Sequence, residues 1–442
     1  MFKVLGPLSI TISLFLSSCS GKKVANEVSM DKIAESYVKL VLKIGLYDAD
    51  YVDAYYGPEE WKPSKVEGAE QGQFPHSQLD AEATGLIDQL RKVNQNEFGS
   101  LERLRYTYLE KQLLSVKAKI DLLSGRKMSF DDESKALYDA AAPVHDEEYF
   151  ENILKKLDNT LPGNGDIYER FNNYKKKFII PKDRLDAVLK AAMAECRRRT
   201  LKYIELPENE NLTIEYVTDK PWFAYNWYRG NGCSLIQVNV DLPVYINSAV
   251  DLACHEGYPG HHVNLTLLEK CLVRDRNWME FCVSPLYSPQ SLIAEGIAEY
   301  GIDIAFDAIT RIEFEQKVLF PLAGLDPSEA EQYYKIRELI KELECAWNEV
   351  ARQYLDGRMN KDEAIKWFTR YRLSTSEEAD QYVRFIEKYR SYVVNYDVGQ
   401  RMVRDHIEKH AGTENHPNRR WEVFYTLLST PQTPSGLAKV GR

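Results

Sequence analysis

Apolar residues recur at intervals of three and four positions along most of the chain, the spacing of helices that each bury one face. In residues 29–56 this pattern runs through Tyr37 and Val41 and stops at Gly57-Pro58, which predicts one helix. The same spacing predicts two or three helices within 80–125 and others at 131–141, 147–158, 183–203, 287–308, 327–355, 361–371 and 376–410. The chain is therefore predicted to be mainly α.

The pattern changes near residue 212, where β-branched residues alternate or cluster. Thr213–Val217 and Ser234–Val240 have this character, and Gly230 and Gly232 between them supply the conformations of a turn. We predict a small antiparallel β-sheet here. It would lie beside the helix that follows, around residue 255.

Length and composition set the organisation of the chain. Its 442 residues, 44% of them hydrophobic, are enough to bury a large core. The turn-rich sequence at 161–165 predicts a boundary between two helical parts. The predicted divisions are a signal peptide at 1–18, a lipidated tether at 19–28, an N-terminal helical part at 29–160, a catalytic part at 161–429 and a mobile tail at 430–442.

The N-terminus has the pattern of a bacterial export signal. Lys3 gives a positive start, Leu8 to Leu16 form an apolar stretch, and Leu16-Ser17-Ser18-Cys19 resembles the lipobox of lipoproteins. Lipidation of Cys19 would anchor the chain in the bacterial cell envelope, at the outer membrane or the periplasmic face. The alternative is an ordinary signal peptide cleaved elsewhere.

Charge and cysteine usage exclude other classes. The 57 basic and 67 acidic residues give a net charge of −10, which argues against nucleic acid as a partner. The six cysteines after Cys19 match no CxxC metal or redox pattern, and a domain of this size needs no disulfide framework. Cys254 is predicted to be a buried packing thiol.

The side chains that most suggest chemistry stand together in His255-Glu256-Gly257-Tyr258-Pro259-Gly260-His261-His262. A zinc hydrolase needs imidazoles that hold the ion and a carboxylate that takes a proton from water. On an unbroken α-helix His261 would lie about 240° round and roughly 9 Å along from His255, too far to share an ion. Proline and glycine predict a break in the winding.

The size of that break decides which imidazole comes near His255. If it absorbs two residues, His261 takes the position that an i+4 histidine has in the common motif; if it absorbs three, His262 does. The other interpretation is that the Pro-Gly pair ends one helix and the histidines lie in a loop without a shared ligand.

A third ligand is predicted downstream. Glu295, Glu299 and Asp303 fall at i, i+4 and i+8, so they line one face of a helix that is otherwise apolar. Carboxylates stacked in this way repel one another unless a positive charge lies opposite. A solvated acidic stripe is the alternative, and the scarcity of polar residues elsewhere on the helix disfavours it.

The remaining histidines are interpreted as structural or exposed. His406 and His410 have true i, i+4 spacing, but charged neighbours indicate a solvated helix face, and two imidazoles without a third ligand bind metal weakly. His76, His145 and His416 are isolated in the sequence.

The sequence His255-Glu256-x-x-Pro259-Gly260-His261, followed by Glu295-Gly296-x-Ala298, resembles a bacterial family known as domain of unknown function number eight hundred and eighty-five. That family resembles the gluzincin zinc metallopeptidases, which include angiotensin-converting enzyme and a group of carboxypeptidases. The resemblance covers residues 205–410. Asn264 departs from the family pattern, which has Gln there.

The resemblance implies a large helical gluzincin-like fold and a role for each residue at the site. Glu295 becomes the third metal ligand beside His255 and His261, and Glu299 orients a ligand histidine. A late Tyr-x-x-Gly element makes Tyr396 a donor to the oxyanion that forms during hydrolysis, with a packing role as the alternative. In gluzincins the sheet edge also receives the substrate backbone.

The sequence thus predicts a zinc-dependent hydrolase that cleaves peptide bonds of short peptides, with Glu256 as general base and Zn²⁺ as cofactor. Zinc follows from the set of two imidazoles and one carboxylate. A metal-retaining but catalytically silent lipoprotein that binds peptide or another ligand is the first alternative. A helical envelope protein without metal is the second.

Overall fold

The computed structural model describes residues 29–64, 74–220, 222–411 and 416–439. The predicted signal peptide at 1–18, the tether at 19–28 and Cys19 lie outside these residues. Within them the protein is mainly helical with small sheets, so the predicted class is confirmed. No helix among the described residues is both long enough and apolar enough to cross a lipid bilayer.

The first helix is shorter than predicted. Helix α1 spans Met30–Ile44, is capped by the Ser29 hydroxyl, and is followed by Gly45. Strand β1 (Val52–Tyr55) comes next and pairs antiparallel with β5 (Val283–Pro285). A partner so distant in sequence gives no local signal, and the prediction of one helix over 29–56 is wrong after residue 44.

Six further helices complete the chain before the sheet. They are α2 (His76–Arg91), α3 (Ser100–Leu123), α4 (Phe130–Tyr138), α5 (Glu147–Thr160), α6 (Ile167–Lys175) and α7 (Leu185–Thr200). Side-chain oxygens of Ser129, Asp146 and Asp166 cap the starts of α4, α5 and α6. Buried residues from these helices and from the later ones belong to one continuous core, so the predicted parts 29–160 and 161–429 pack into one another.

The main sheet contains three strands in the order β2-β4-β3: β2 (Asn211–Val217), β3 (Ala224–Tyr228) and β4 (Cys233–Asn239). The antiparallel pair is the β3–β4 hairpin, which turns at Gly230 and Gly232, both with positive φ. The two strands foreseen from sequence, β2 and β4, run parallel. Their mutual orientation was wrongly predicted because the intervening strand β3 was not foreseen, and with β3 in place the chain reverses direction twice between β2 and β4.

Helices dominate again after the sheet. They are α8 (Ile246–Leu252), α9 (His261–Leu268), α10 (Pro289–Ala305), α11 (Ala308–Phe314), α12 (Phe320–Ala323), α13 (Ala330–Glu342), α14 (Ala346–Leu355), α15 (Lys361–Tyr371), α16 (Ser376–Tyr389), α17 (Val394–Ala411), α18 (Pro417–Ser429) and α19 (Pro434–Lys439). The helix predicted at 376–410 is interrupted at Arg390, whose φ of 55° is incompatible with helical winding. That interruption separates α16 from α17.

Helices α10 and α17 cross with their backbones in contact. A Cβ atom on Gly296 would overlap the backbone of Gly399, and one on Gly399 would overlap the Leu292 carbonyl and the Gly296 backbone. Two facing glycines therefore allow an approach that any side chain would block. The crossing brings Glu295 on α10 close to the residues that begin α17.

Part of the predicted mobile tail forms a packed helix in the residues that the structure describes there. Helix α19 lies against α17 and α10, and Leu437 is buried. The Thr433 side chain is also buried, and its hydroxyl accepts a hydrogen bond from the Gly436 amide. Few large apolar residues suggested mobility, but one leucine in a formed groove is enough to dock a short helix.

Candidate metal centre

A break in helical winding places the two predicted imidazoles side by side. Helix α8 continues into a π-helical turn at Ala253–Gly257, the Tyr258–Pro259 peptide bond is cis, and α9 starts at His261. Gly260 permits this re-entry because a Cβ atom there would overlap the His255 carbonyl. The kink predicted from the Pro-Gly pair is confirmed.

Three side chains from distant parts of the chain converge at this break. His255 Nε2 lies 3.2 Å from His261 Nε2. The Glu295 carboxylate on α10 lies 3.3 Å from His255 Nε2 and 3.5 Å from His261 Nε2. The structure thus brings together the three residues that the sequence singles out as metal ligands.

These separations fit donor atoms around one tetrahedral ion. Donors bonded at 2.0–2.2 Å to such an ion lie roughly 3.3–3.6 Å from one another. The separations of 3.3 Å (His255 Nε2 to Glu295 Oε2) and 3.5 Å (His261 Nε2 to Glu295 Oε1) fall within that range, and the 3.2 Å between the two imidazoles lies just below it. Three protein ligands would leave a fourth position for water, the arrangement of catalytic rather than structural zinc sites.

The clearest indication of a cation-binding site comes from the carboxylate of Glu295. Its Oε2 is buried and has no hydrogen bond of acceptable geometry to any described residue, although His255 lies close. Burial raises the pKa of Glu295, but the imidazoles of His261 and His255 lower it further, so the net pKa falls. A buried anionic oxygen without a donor is costly unless a positive ion meets it.

Glu299 holds the far side of one imidazole. Its Oε1 lies 3.2 Å from His255 Nδ1, one helical turn along α10 from Glu295. This contact presents His255 Nε2 to the centre, as carboxylates behind ligand histidines do. Burial lowers the pKa of His255, but the neighbouring carboxylates of Glu295 and Glu299 raise it more, so the net pKa is raised.

Glu256 lies beside the three converging groups in the same π turn. Its backbone carbonyl accepts a 2.6 Å hydrogen bond from the Asn226 side chain on β3, which ties the turn to the sheet. Its carboxyl group is 7% exposed, and burial raises its pKa against the opposing effect of His255 and His261. A carboxylate with a raised pKa suits general-base work near neutral pH.

His262 faces away from the centre. Its Nδ1 lies 2.8 Å from the Ser234 hydroxyl and its Nε2 lies 3.0 Å from Glu210 Oε2, and the ring is fully buried. The break therefore absorbs two residues, and of the two candidates it is His261 that meets His255. His262 instead links α9 to strand β4 and to Glu210.

Two tyrosines reach the centre from the region where α17 begins: Tyr392 lies in the 3-10 turn Arg390–Val393 just before α17, and Tyr396 lies in the first turn of α17. The Tyr392 hydroxyl donates a 2.8 Å hydrogen bond to Glu295 Oε1. Tyr396, the sequence-predicted donor, lines the cleft, and after burial the carboxylates of Glu295, Glu299 and Glu256 raise its pKa most. Tyr392 escapes sequence reasoning, although its i, i+4 relation to Tyr396 on a shared face could have indicated it.

Asp53 on β1 is a second acid that sequence analysis misses. Burial raises its pKa to about 7, with His261 lowering and Glu295 and Glu256 raising it. The Tyr225 hydroxyl on β3 donates a hydrogen bond to Asp53. Nothing in residues 50–56 suggests chemistry, because the site is completed only when β1 pairs with β5.

The other histidines lie elsewhere. His406 and His410 are partly buried, with ring centroids 4.3 Å apart, so the predicted solvated face is wrong. Burial lowers the pKa of His406 to about 4. His76 lies 3.1 Å from Asp121, which also pairs with Arg126, and His145 packs on Tyr149.

The predicted packing role of Cys254 agrees with its surroundings. Its thiol is fully buried and lies 3.4 Å from the Cys196 thiol of α7. The six described cysteines are free.

The centre opens into a cleft of about 1020 Å³. His255, Glu256 and Glu299 lie on one wall, Trp222 and Phe223 stand ahead of β3 at its edge, and Tyr396 lies on the α17 side. A cleft of this size is at the upper end of the range for small-ligand pockets. It could admit an extended segment of several residues to the imidazoles.

Comparison with solved structures relates the fold to other bacterial proteins. A provisionally named lipoprotein from Colwellia psychrerythraea has a TM-score of 0.54 at 13% identity, over 86% of this chain and 70% of that one. A provisionally named lipoprotein of unknown function from Shewanella oneidensis has a TM-score of 0.47 at 12% identity, over 94% and 84%.

An M32 carboxypeptidase from Deinococcus radiodurans R1 has a TM-score of 0.36 at 12% identity, over 93% of this chain and 96% of that one. No protein-family model and no curated protein matches the sequence. At these identities the first likeness, to the Colwellia protein, establishes a shared fold and nothing about activity.

Proposed function

We propose that the protein is a zinc-dependent hydrolase that cleaves peptide bonds of short peptides. The observation that carries the proposal is the convergence of His255, His261 and Glu295 with donor atoms 3.2–3.5 Å apart, at the wall of a cleft. Two imidazoles and one carboxylate are the ligand set of several zinc peptidases.

When bound, zinc would supply Lewis acidity to a substrate carbonyl and acidity to water. The protein residues would do the rest. Glu256 accepts the proton of the attacking water and returns it to the leaving amine, which its raised pKa favours. Glu299 keeps the tautomer of His255, and Tyr392 fixes the rotamer of Glu295 through its hydroxyl.

Tyr396 is the proposed donor to the developing oxyanion. It lines the cleft, and the high pKa that burial and the surrounding carboxylates impose keeps its hydroxyl protonated. A positioned donor of this kind contributes on the order of 10²-fold in rate. The β3 edge, linked to the base through the bond from Asn226 to the Glu256 carbonyl, is the proposed place for an extended peptide.

The decisive experiment combines metal analysis with peptide cleavage. We expect purified protein to hold about one zinc per chain and to cleave members of a short-peptide library. Glu256→Gln should retain zinc and lose turnover, whereas His261→Ala should lose both. His410→Ala, which alters an imidazole outside the centre, is the matched control. Undiminished turnover in Glu256→Gln would refute the base role, and zinc without any turnover in the wild type would favour the silent lipoprotein.

We further propose that the chain is lipid-anchored in the bacterial envelope through Cys19. The lipobox-like Leu16-Ser17-Ser18-Cys19 supports this location, as does the name of the Colwellia structure with the shared fold. Labelled palmitate should enter the wild-type protein and not Cys19→Ala, which should leave the membrane fraction. Labelling of the variant would contradict the anchor.

A further inference from the structure

A smaller side cavity opens from the cleft that holds the metal centre. It has a volume of about 220 Å³ and shares Tyr245, Arg337, Arg372 and Tyr382 with the wall of the cleft. We call it the arginine cavity. It is smaller than the roughly 300–1,000 Å³ of pockets for drug-sized ligands. Its scale is that of one amino-acid residue, and it adjoins the cleft that His255 and Glu256 line.

Two guanidinium groups in this cavity form no direct ion pair with a described residue, although against the effect of burial the charges of Glu344 and Asp251 act on Arg337 from a distance and raise its pKa. Neither Arg337 on α13 nor Arg372, just after α15, forms an ion pair or a side-chain hydrogen bond within the described part of the chain. Arg372 is instead held by aromatic rings, 4.9 Å from the Tyr382 centroid and 5.3 Å from that of Trp347. Ring stacking leaves the N–H edge of a guanidinium available to an acceptor.

Neighbouring cations are neutralised, which makes these two stand out. Lys175 lies 3.0 Å from Glu378, and Arg311 lies 2.7 Å from Asp251. Partly buried arginines in folded proteins are ordinarily paired, because an unpaired charge loses hydration without compensation. The cavity therefore has two unbalanced positive charges to set against the remaining acid, Glu344.

Glu344 does not balance both. The cavity wall has two carboxylates, and because Glu378 is paired with Lys175, Glu344 alone is left opposite the two guanidiniums; it forms no ion pair with a described residue. Burial raises the pKa of Glu344 more than Arg372 and Arg337 lower it, so its charged form is weakened further. The cavity retains a positive excess.

Much of the remaining cavity wall is apolar or aromatic, with Phe171, Tyr174, Tyr333, Ile336 and Ile340 as contributors, and Asn247, Ser248 and Ser374 add neutral polar groups. This surface would accept hydrocarbon or ring atoms, while the guanidiniums accept oxygen anions. A peptide residue that carries a carboxylate next to apolar atoms meets both requirements.

We propose that the arginine cavity binds a carboxylate of the peptide substrate through Arg337 and Arg372, and so selects which peptides reach the metal centre. The carboxylate is either the C-terminal one or that of an acidic side chain. This inference rests on the proposed peptidase function, because it takes the cleft for the substrate site. Guanidinium–carboxylate hydrogen bonds are charge-assisted and bidentate, so they discriminate strongly against an amide.

The test measures binding separately from cleavage. A fluorescent short peptide is prepared in four forms, with a free or amidated C-terminus and with Glu or Gln at one internal position, and is titrated into zinc-loaded Glu256→Gln protein. We expect one of the two neutralisations to weaken binding by about 10- to 100-fold. Loss on amidation identifies the terminal carboxylate as the ligand, and loss on Glu→Gln substitution identifies the side chain.

Variants in the same background assign the effect to the cavity. Arg337→Gln and Arg372→Gln should bind all four peptides with the weak affinity of the neutral form. Arg337→Lys, which keeps the charge, should restore part of the preference. Arg370→Gln is the matched control, because Arg370 is on α15, exposed, and paired with Glu151 outside both cavities. It should keep the full preference.

The outcomes separate the two proposals. Equal binding of the four peptides, or an unchanged preference in both Gln variants with melting temperatures like that of the parent, would overturn the carboxylate site. Charge-dependent binding that these variants abolish, with no cleavage by the wild-type protein, would sustain the cavity and refute the hydrolase. Cleavage by the wild-type protein without any charge preference in binding would sustain the hydrolase and refute the carboxylate site in the arginine cavity.

Discussion

At the proposed metal centre, individual side chains should determine the affinity for zinc and the rate of catalysis. Tyr392, in the turn before α17, and Tyr396, on α17, reach the same region, but only Tyr392 is hydrogen-bonded to a ligand carboxylate, at 2.8 Å from Glu295. Their roles should therefore separate on substitution. Tyr392 acts through Glu295 and is a positioning residue, whereas Tyr396 faces the cleft.

Tyr392→Phe should weaken zinc affinity by about 10- to 100-fold, the usual effect of removing a hydrogen bond behind a ligand. Tyr396→Phe should leave zinc affinity unchanged and lower kcat on the order of 10²-fold. Competition with a chromogenic chelator gives the affinities, and steady-state kinetics with a cleaved peptide give kcat. A reversed pattern would exchange the two assignments.

At this scale the sequence identifies residues by local pattern only. His255 and His261 are found because side chains that can bind metal crowd together in one short stretch, and Glu295 is found because it stands on an otherwise apolar helix. The choice between His261 and His262 depends on the backbone path through Pro259 and Gly260. The amino-acid sequence alone does not specify that path. Asp53 is invisible, since its proximity to His261 is created by the pairing of strands far apart in the chain.

Contacts between secondary-structure elements can be tested by stability measurements that do not depend on catalysis. The crossing of α10 and α17 depends on Gly296 and Gly399. Ala at either position should destabilise the fold by about 2 kcal/mol or more, because overpacking of rigid backbone typically costs 1–3 kcal/mol. Gly85→Ala on α2 is the control, since a Cβ atom there meets nothing within 4 Å. That variant should be neutral or slightly stabilising in urea unfolding.

A second contact between elements, at Glu210, makes the stability of the fold depend on pH. Burial raises the pKa of Glu210, but bonds to His262, Tyr258 and Arg197 lower it more, to about 2 from the ordinary 4.5. A depressed folded-state pKa contributes stability that is complete above about pH 5 and is lost as the pH falls towards 2. Glu210→Gln should therefore cost about 2–3 kcal/mol at pH 7, and progressively less below pH 4.5.

Urea unfolding of the wild type and of Glu210→Gln across pH 3 to 7 measures that difference. Glu205→Gln, in the same connection before β2, is the comparison variant. A difference between wild type and Glu210→Gln that stays constant over this range would contradict the assigned ionisation.

Element boundaries were predictable where pattern and caps agree, as for α5, α15 and the start of α10. Prediction failed where tertiary contacts override local preference. β1 exists because β5 pairs with it, and α19 forms because a groove receives Leu437. The parallel arrangement of β2 and β4 follows from the insertion of β3, a five-residue strand whose Tyr and Trp residues favour a strand but whose short length gives little periodicity.

For the whole molecule, the ligands join distant segments, and metal should therefore stabilise the global fold. Glu295 is on α10, whereas His255 and His261 flank the break after α8. Zinc at 100 times its dissociation constant should add about 2.7 kcal/mol, because it binds the folded state preferentially. Calorimetry should show a higher Tm with zinc for wild type and a much smaller shift for His261→Ala. Equal shifts in both proteins would place the binding elsewhere.

The π turn also has a consequence for finding relatives. Because the backbone gains room between His255 and His261, six positions of sequence fill the place that four occupy in the common zinc motif. Genome scans that require His-Glu-x-x-His will pass over chains built like this one. A pattern that reads His-Glu-x-x-Pro-Gly-His, followed by Glu-Gly on a later apolar helix, would retrieve them.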